Sequence, residues 1–144
     1  IGQVFKAVFK TYPFPVFDAQ YLTTGMNTGQ TRYFCIRKDD RIIATAASEI
    51  DTHHKGVEMT DFATLSEYRG QGLAGCLLED MEQEMAGQGM RTAFSIARAL
   101  SPGMNMLFAR KGYAFGGTLV NNTNISGRIE SMNVWHKSLG ASPN

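Results

Sequence analysis

TDFATLSEYRGQGLAGCLLEDMEQEM, residues 60–85, is the stretch whose reading decides the fold. Its first third is strand-like, its middle is a glycine-rich turn, and its last half is an amphipathic helix predicted from about Gly72 to Ala86. Leu73, Leu77, Met81 and Met85 repeat every four residues, Ala74 and Leu78 widen the stripe, and the acidic residues between them face water. A helix that opens on Arg69-Gly70-Gln71-Gly72 offers unpaired amides and a partial positive charge, which suits an anion. Gly70 and Gly72 keep side chains away from those amides, and Ala74 keeps the first turn thin. The phosphate-loop pattern GxxxxGK(S/T) is absent and GxGxxG does not fit. The turn by itself is therefore either an anion cradle or a tight strand-to-helix connection.

Working outward, residues 1–11 carry Val4, Phe5, Val8 and Phe9 at helical spacing, and Pro13 and Pro15 close that helix. A second helix is predicted from the N-cap Asp18 to Met26. TRYFCIRK and RIIATAASEI read as a hairpin about Asp39-Asp40, and VEMTDFATL as a third strand. RTAFSIARAL reads as a central strand, Pro102 starts a helix ending near Lys111, and AFGGTLVNNTNI with IESMNVWHKSL form a closing hairpin at Ser126-Gly127. The order is ααβββαβαββ, with no repeat or linker, so residues 1–144 are expected to form one α/β domain with a mixed sheet.

Composition bounds the function. A chain of 144 residues with 43% hydrophobic and 19% charged residues reads as globular, and fourteen basic against thirteen acidic residues give no charge argument for nucleic acid. No apolar run approaches the roughly 18 to 20 residues that span a bilayer. Cys35 and Cys76 stand alone, and His53, His54 and His136 make a poor metal set, so no disulfide and no metal is expected. Sequons at Asn121 and Asn124 have no secretory context beside them, and the expected location is cytoplasmic.

RGQGLA, residues 69–74, fits the Q/R-x-x-G-x-G/A pattern of the GNAT N-acetyltransferase superfamily, and TLSEYRGQGLA resembles its strand-to-helix junction. SPGMNMLFARKGYAF resembles that superfamily's next helix and closing strand. MTDFATLSEYRGQGLA, IARALSPGMN and GYAFGGTLVNNTNI together resemble a narrower family, the β-lysine N-acetyltransferases that accompany lysine 2,3-aminomutase. The resemblance implies a GNAT-like acyl-CoA N-acyltransferase fold, a mostly antiparallel sheet flanked by helices, whose usual first strand is missing here. The narrower family is longer, and the chain opens on Ile1, so it is expected to correspond to that family's C-terminal catalytic domain.

The resemblance further implies acetyl-CoA as co-substrate. Its pyrophosphate would rest on the amides of Gln71, Gly72, Leu73 and Ala74, with Arg69 and Gly70 shaping the turn. Its pantetheine arm would follow Phe62, Ala63 and Thr64, and the Phe62 amide would face the acyl oxygen, where a donor stabilises developing negative charge. The superfamily's tyrosine acid falls on Phe108, which cannot donate a proton, and its asparagine falls on Ser101, with Asn105 one turn later. The general acid is left unassigned.

An acceptor ammonium with a pKa of about 10.4 must first become the free amine, at roughly 4.6 kcal/mol at neutral pH. Glu58 holds the position where members of the superfamily carry a base, and by alternation it shares a face with Thr60, Phe62 and Thr64; the other reading is a strand-end carboxylate in a salt bridge. Asp61 falls on the opposite face, as a structural or substrate-contacting residue, unless a bulge reverses it. Arg98, in an apolar strand, needs an anion: a substrate carboxylate, or Asp61 or Glu58. Asn121, Asn122 and Asn124 are unusual in a strand, and at least one is expected in the acceptor pocket, with bulge chemistry as the alternative. The implied reaction is acetylation of the side-chain amine of β-lysine. Another small amine, a protein amine, or acyl-CoA binding without catalysis stay open, as does a homodimer.

Overall fold

The computed structural model describes residues 1–140; the last four residues of the expected domain lie outside them. Helices α1 (Gly2–Val8) and α2 (Ala19–Thr28) precede strands β1 (Thr31–Lys38), β2 (Arg41–Asp51) and β3 (Gly56–Thr64). Helix α3 (Leu73–Gly87), strand β4 (Thr92–Arg98), helix α4 (Pro102–Arg110) and the hairpin β5 (Ala114–Ile125) and β6 (Arg128–Ser138) follow. This is the element order expected from the sequence, and among the described residues no strand precedes α1.

The six strands form one sheet in the order β1-β2-β3-β4-β6-β5, antiparallel except where β3 meets β4. One face is covered by α3 and α4, around Val57, Met59, Leu77, Leu78, Met81, Met85 and Phe108. The other face carries α1 and α2, around Val4, Phe5, Val16, Leu22, Ile43, Ala63 and Leu65. Each large side chain removed from water here contributes about 1.5–3 kcal/mol. Strand β2 is buried without interruption from Ile43 to Ser48 because it lies under helices on both faces, and its alanines let them approach closely.

Strand β3 does not keep its alternation. Met59 belongs to the α3/α4 core and Ala63 to the α1/α2 core, although four residues should return a side chain to the same face. The slip is a bulge: Thr60 pairs with Ala47 and Ala63 with Thr45, so two residues of β3 oppose one of β2. Asp61 sits in the bulge with φ +54, a left-handed conformation that aspartate tolerates better than most residues.

Parallel pairing of β3 with β4 covers only Gly56–Thr92, Val57–Ala93 and Glu58–Phe94. One further link, the Ser95 hydroxyl donating to the Met59 carbonyl at 2.6 Å, marks the point where the strands part. The gap beyond it opens the centre of the sheet.

Candidate active site

The splayed strands open a cleft of about 700 Å³. Thr60, Asp61, Phe62 and Thr64 form its β3 wall, and Ser95, Ile96, Ala97 and Arg98 its β4 wall. At one end lie Arg69, Gly70, Gly72, Leu73 and Ala74 of the turn, with Ser101, Leu107, Phe108 and Arg110 from the α4 side. At the other lie Val8, Phe9, Tyr12, Ile125 and Met132.

The turn is built to leave its amides free. Gly70 and Gly72 have φ +77 and +75, and Gly72 caps α3 without a side-chain hydrogen bond. The Gly72 carbonyl accepts from Cys76 in the helix's first bond, so the amides before Cys76 have no partner within the helix. A Cβ built on either glycine meets nothing within 4 Å, so the space in front of those amides is open. This end suits a diphosphate. Gly75 serves packing instead, because its missing side chain lets Leu107 and Lys111 of the α4 region come within about 3.6 Å of where a Cβ would stand.

The bulge serves the middle of the cleft. Asp61 and Phe62 have no partner in the register with β2, and pairing with β4 has already ended, so their main chain borders the gap unpaired by the ladder. The Phe62 ring turns to the α3/α4 side, meeting Phe108 edge-on at 5.9 Å between centroids. Ala63 points away into the α1/α2 core, pairs with Thr45 of β2 and is absent from the cleft lining.

The bulge also corrects the assignment of faces. Glu58 and Phe62 do not share a face, and Asp61 joins Glu58 on the α1/α2 side instead of opposing it. The Asp61 carboxylate is buried and accepts hydrogen bonds from Tyr12 and, at 3.3 Å, from the Thr60 hydroxyl. Glu58 is half-buried and opposes Glu49 on β2. Burial, then the charges of Glu49 and Asp61, push the Glu58 carboxyl up to about 7. Burial also raises Asp61, against the pull of its two hydrogen bonds, and burial followed by Asp61 raises Glu49. Tyr12 and Tyr33 are raised for the same two reasons, burial first and Asp61 second, so both stay protonated donors. None of the ion pairs among the described residues involves Glu49, Glu58 or Asp61. Three neighbouring carboxylates without a cation suit an ammonium, and one with its pKa near 7 can take a proton from it. Glu58 itself does not line the cleft; Thr60 and Asp61 stand between it and the gap.

Other expected site residues are placed differently. Arg98 lines the cleft, but its anion is neither Asp61 nor Glu58: Nε and Nη2 each donate at 2.8 Å to Glu130, which is 2% exposed. Asn105 is a fastener between elements. Its amide donates to the carbonyls of Arg98 and Ser101, and its oxygen accepts from Asn133 and Trp135, leaving nothing for a ligand. Asn121, Asn122 and Asn124 are exposed on the edge strand β5 and absent from the cleft. Asn121 has φ +45 where the register with β6 slips between Leu119 and Thr123, so the bulge reading holds there. Gln71 is exposed and also lies outside the cleft lining. Phe108 is fully buried, and the hydroxyl of neighbouring Tyr113 is buried without a partner and outside the cleft.

Tyr12, Glu49 and Glu130 are site residues that no sequence motif singles out. Tyr12 follows α1 in a segment with no periodicity, and its approach to Asp61 spans 49 residues. Among the described residues no group of three or more His, Cys, Asp or Glu is placed to hold a metal, and no helix is long and apolar enough to cross a membrane.

Comparison with known proteins agrees with this geometry. The model of the Acetyltransferase (GNAT) family matches residues 3–113. A β-lysine N(6)-acetyltransferase of Methanococcus maripaludis is 47% identical over 137 residues, which are 95% of this chain and 50% of that protein. The chain spans about half the length of the curated relatives it matches. Among solved structures, a spermidine N-acetyltransferase chimera from Vibrio cholerae and hSSAT superposes with a TM-score of 0.81 at 17% identity, covering 96% of this chain and 89% of that one. A ribosomal L7/L12 alpha-N-protein acetyltransferase in complex with coenzyme A gives 0.74 at 15% identity, covering 83% and 68%. At such identities these two speak for the fold alone.

Proposed function

The chain belongs to the GNAT acetyltransferase family, and from that premise we propose that it transfers an acetyl group from acetyl-CoA to the side-chain amine of β-lysine (3,6-diaminohexanoate), giving N6-acetyl-β-lysine. The observation that carries the proposal is one cleft that joins an uncapped helix N-terminus to the buried Asp61, behind which Glu58 and Glu49 lie without a cation. The β-lysine acceptor is supported by the 47% identical relative and by the chemistry of the acidic face.

Acetyl-CoA, when bound, supplies the activated acetyl thioester. The amides of Gly72, Leu73 and Ala74, with the positive end of the α3 dipole, hold its diphosphate. The main chain at Phe62, freed by the bulge, donates to the acyl oxygen as negative charge develops there. Glu58, through a water passed along Thr60 and Asp61, takes the proton that the acceptor ammonium must lose. Asp61 and Glu49 supply the negative field that draws the ammonium in, and burial first, then that field, keeps Glu58 basic enough to accept a proton at neutral pH. Phe108 donates nothing, so the departing thiol is protonated by solvent or leaves as thiolate.

The test is release of free CoA from acetyl-CoA across a panel of amines: β-lysine, lysine, spermidine and a lysine-containing peptide. Turnover highest with β-lysine is expected, with mass spectrometry placing the acetyl group on N6. Turnover of the polyamine or the peptide without β-lysine would replace the acceptor, and CoA binding without turnover of any amine would leave a binding module.

A further inference from the structure

Resting on that acyl-acceptor reading, we infer that Arg128 and Arg98, held together on the buried Glu130, form a recognition site for the acceptor's carboxylate. Arg98 grips both oxygens of Glu130 at 2.8 Å, and Arg128 Nε adds a third bond to Oε1 at 2.9 Å. Two guanidiniums on one carboxylate leave one net positive charge. Arg128 gives Glu130 only its Nε and is 62% exposed, so its two Nη groups still face outward. They are therefore available for a bidentate contact with a second carboxylate.

The strand geometry places this charge beside the cleft, which Arg98 lines while Arg128 and Glu130 stand next to its lining. Arg128, Glu130 and Met132 alternate onto one face of β6. Met132 pairs with Arg98 of β4, and both line the cleft. Glu130 is held well down, to about 2, by Arg98 first and Arg128 as well, so it stays charged and keeps both arginines in place at any working pH. The opposite wall carries Asp61, with Glu58 and Glu49 behind it, and none of the three is in an ion pair among the described residues. A cleft negative along β3 and positive along β4 and β6 fits an acceptor with an ammonium at one end and a carboxylate at the other. It fits a polyamine poorly, because each of a polyamine's ends is cationic.

The experiment is titration calorimetry of the CoA-loaded protein with acceptor pairs that differ only at the carboxylate: β-lysine with its carboxamide, and lysine with its carboxamide. The wild type should bind the acid of a pair roughly 10- to 100-fold more tightly than the amide. Arg128→Gln should erase that preference with the amide's affinity unchanged, and Arg128→Lys should restore part of it. No preference in the wild type, equal weakening of acid and amide, or a lowered Tm with the preference intact would each overturn the inference. A preference within the lysine pair combined with failure of β-lysine as acceptor would keep the site and remove only the β-lysine reading.

Discussion

The Tyr12 hydroxyl donates to the Asp61 carboxylate, tying the segment between α1 and α2 to the bulge of β3. The same segment is fastened a second time. Thr11 accepts from the amides of Ser126 and Gly127 at the tip of the β5–β6 hairpin, at 3.2 and 2.7 Å. One short stretch thus links both walls of the cleft at the end away from the glycine turn. Tyr12→Phe removes a bond to a buried carboxylate, which costs about 1–3 kcal/mol. Denaturant unfolding at pH 8 should show that loss. The acceptor KM should rise several-fold with CoA affinity unchanged, whereas equal loss of both affinities would mean that the tie supports the whole fold and not the acceptor end.

Gly72→Val tests the other end. At φ +75 an L side chain costs about 1–2 kcal/mol, and a β-branched one is among the least tolerant. The new side chain would stand in the open space before the α3 amides or force the turn to re-form, and either excludes a diphosphate. CoA affinity should fall at least about tenfold in a protein whose circular dichroism is unchanged. An unaltered Kd would show that these amides do not hold the nucleotide.

How much of this was legible in the sequence follows from the range of each interaction. The strands TRYFCIRK and AFGGTLVNNTNI match β1 and β5 end to end, and Asp18 caps α2 through a bond to the Gln20 amide, because alternation and capping are local. The glycine turn was legible for the same reason. The bulge at Asp61 was not: it exists only in register with β2, and the resulting slip moved Asp61 beside Glu58 and turned Phe62 away. Glu130 as the partner of Arg98 was equally hidden, since β4 and β6 meet only after the whole α4–β5 segment has folded between them. The asparagines misled because a rare residue in a strand signals a bulge as readily as a pocket, and Asn121 marks one.

Asp61→Asn separates the field of Asp61 from its bond to Tyr12. The amide still accepts from the Tyr12 hydroxyl but carries no charge. Removing a like charge lets Glu58 ionise at lower pH, so the acid limb of kcat/KM should move downward. The move should be only a fraction of a unit, because burial outweighs both neighbouring charges in raising Glu58. Acceptor KM should rise at the same time as the ammonium loses one attraction. An acid limb that stays in place would show that another group than Glu58 sets it.

Glu58→Gln should trade activity for stability, and pH distinguishes the two effects. Glu58 works as a base only when ionised, so wild-type activity should fall as pH drops through about 7, and the variant should lose roughly 10²–10⁴ in kcat with CoA affinity intact. Its folded pKa lies above the ordinary carboxylate value, so the fold favours the protonated form. That contribution is whole below the ordinary value near 4.5 and is lost as pH rises through about 7. Above that point the wild type carries a half-buried charge beside Glu49 and Asp61 that the variant lacks. At pH 8 Glu58→Gln should therefore be more stable than wild type, by up to about 3 kcal/mol, and at pH 4 the two should match. Glu130 behaves oppositely: held down by Arg98 and Arg128, its contribution is whole above the ordinary value near 4.5 and is lost as pH falls through about 2, equally in both proteins. Thermal melts at pH 4, 6 and 8 read the difference directly. A variant no more stable than wild type at pH 8 would show that Glu58 ionises freely in the fold, and the neutral-pH base would have to be another group.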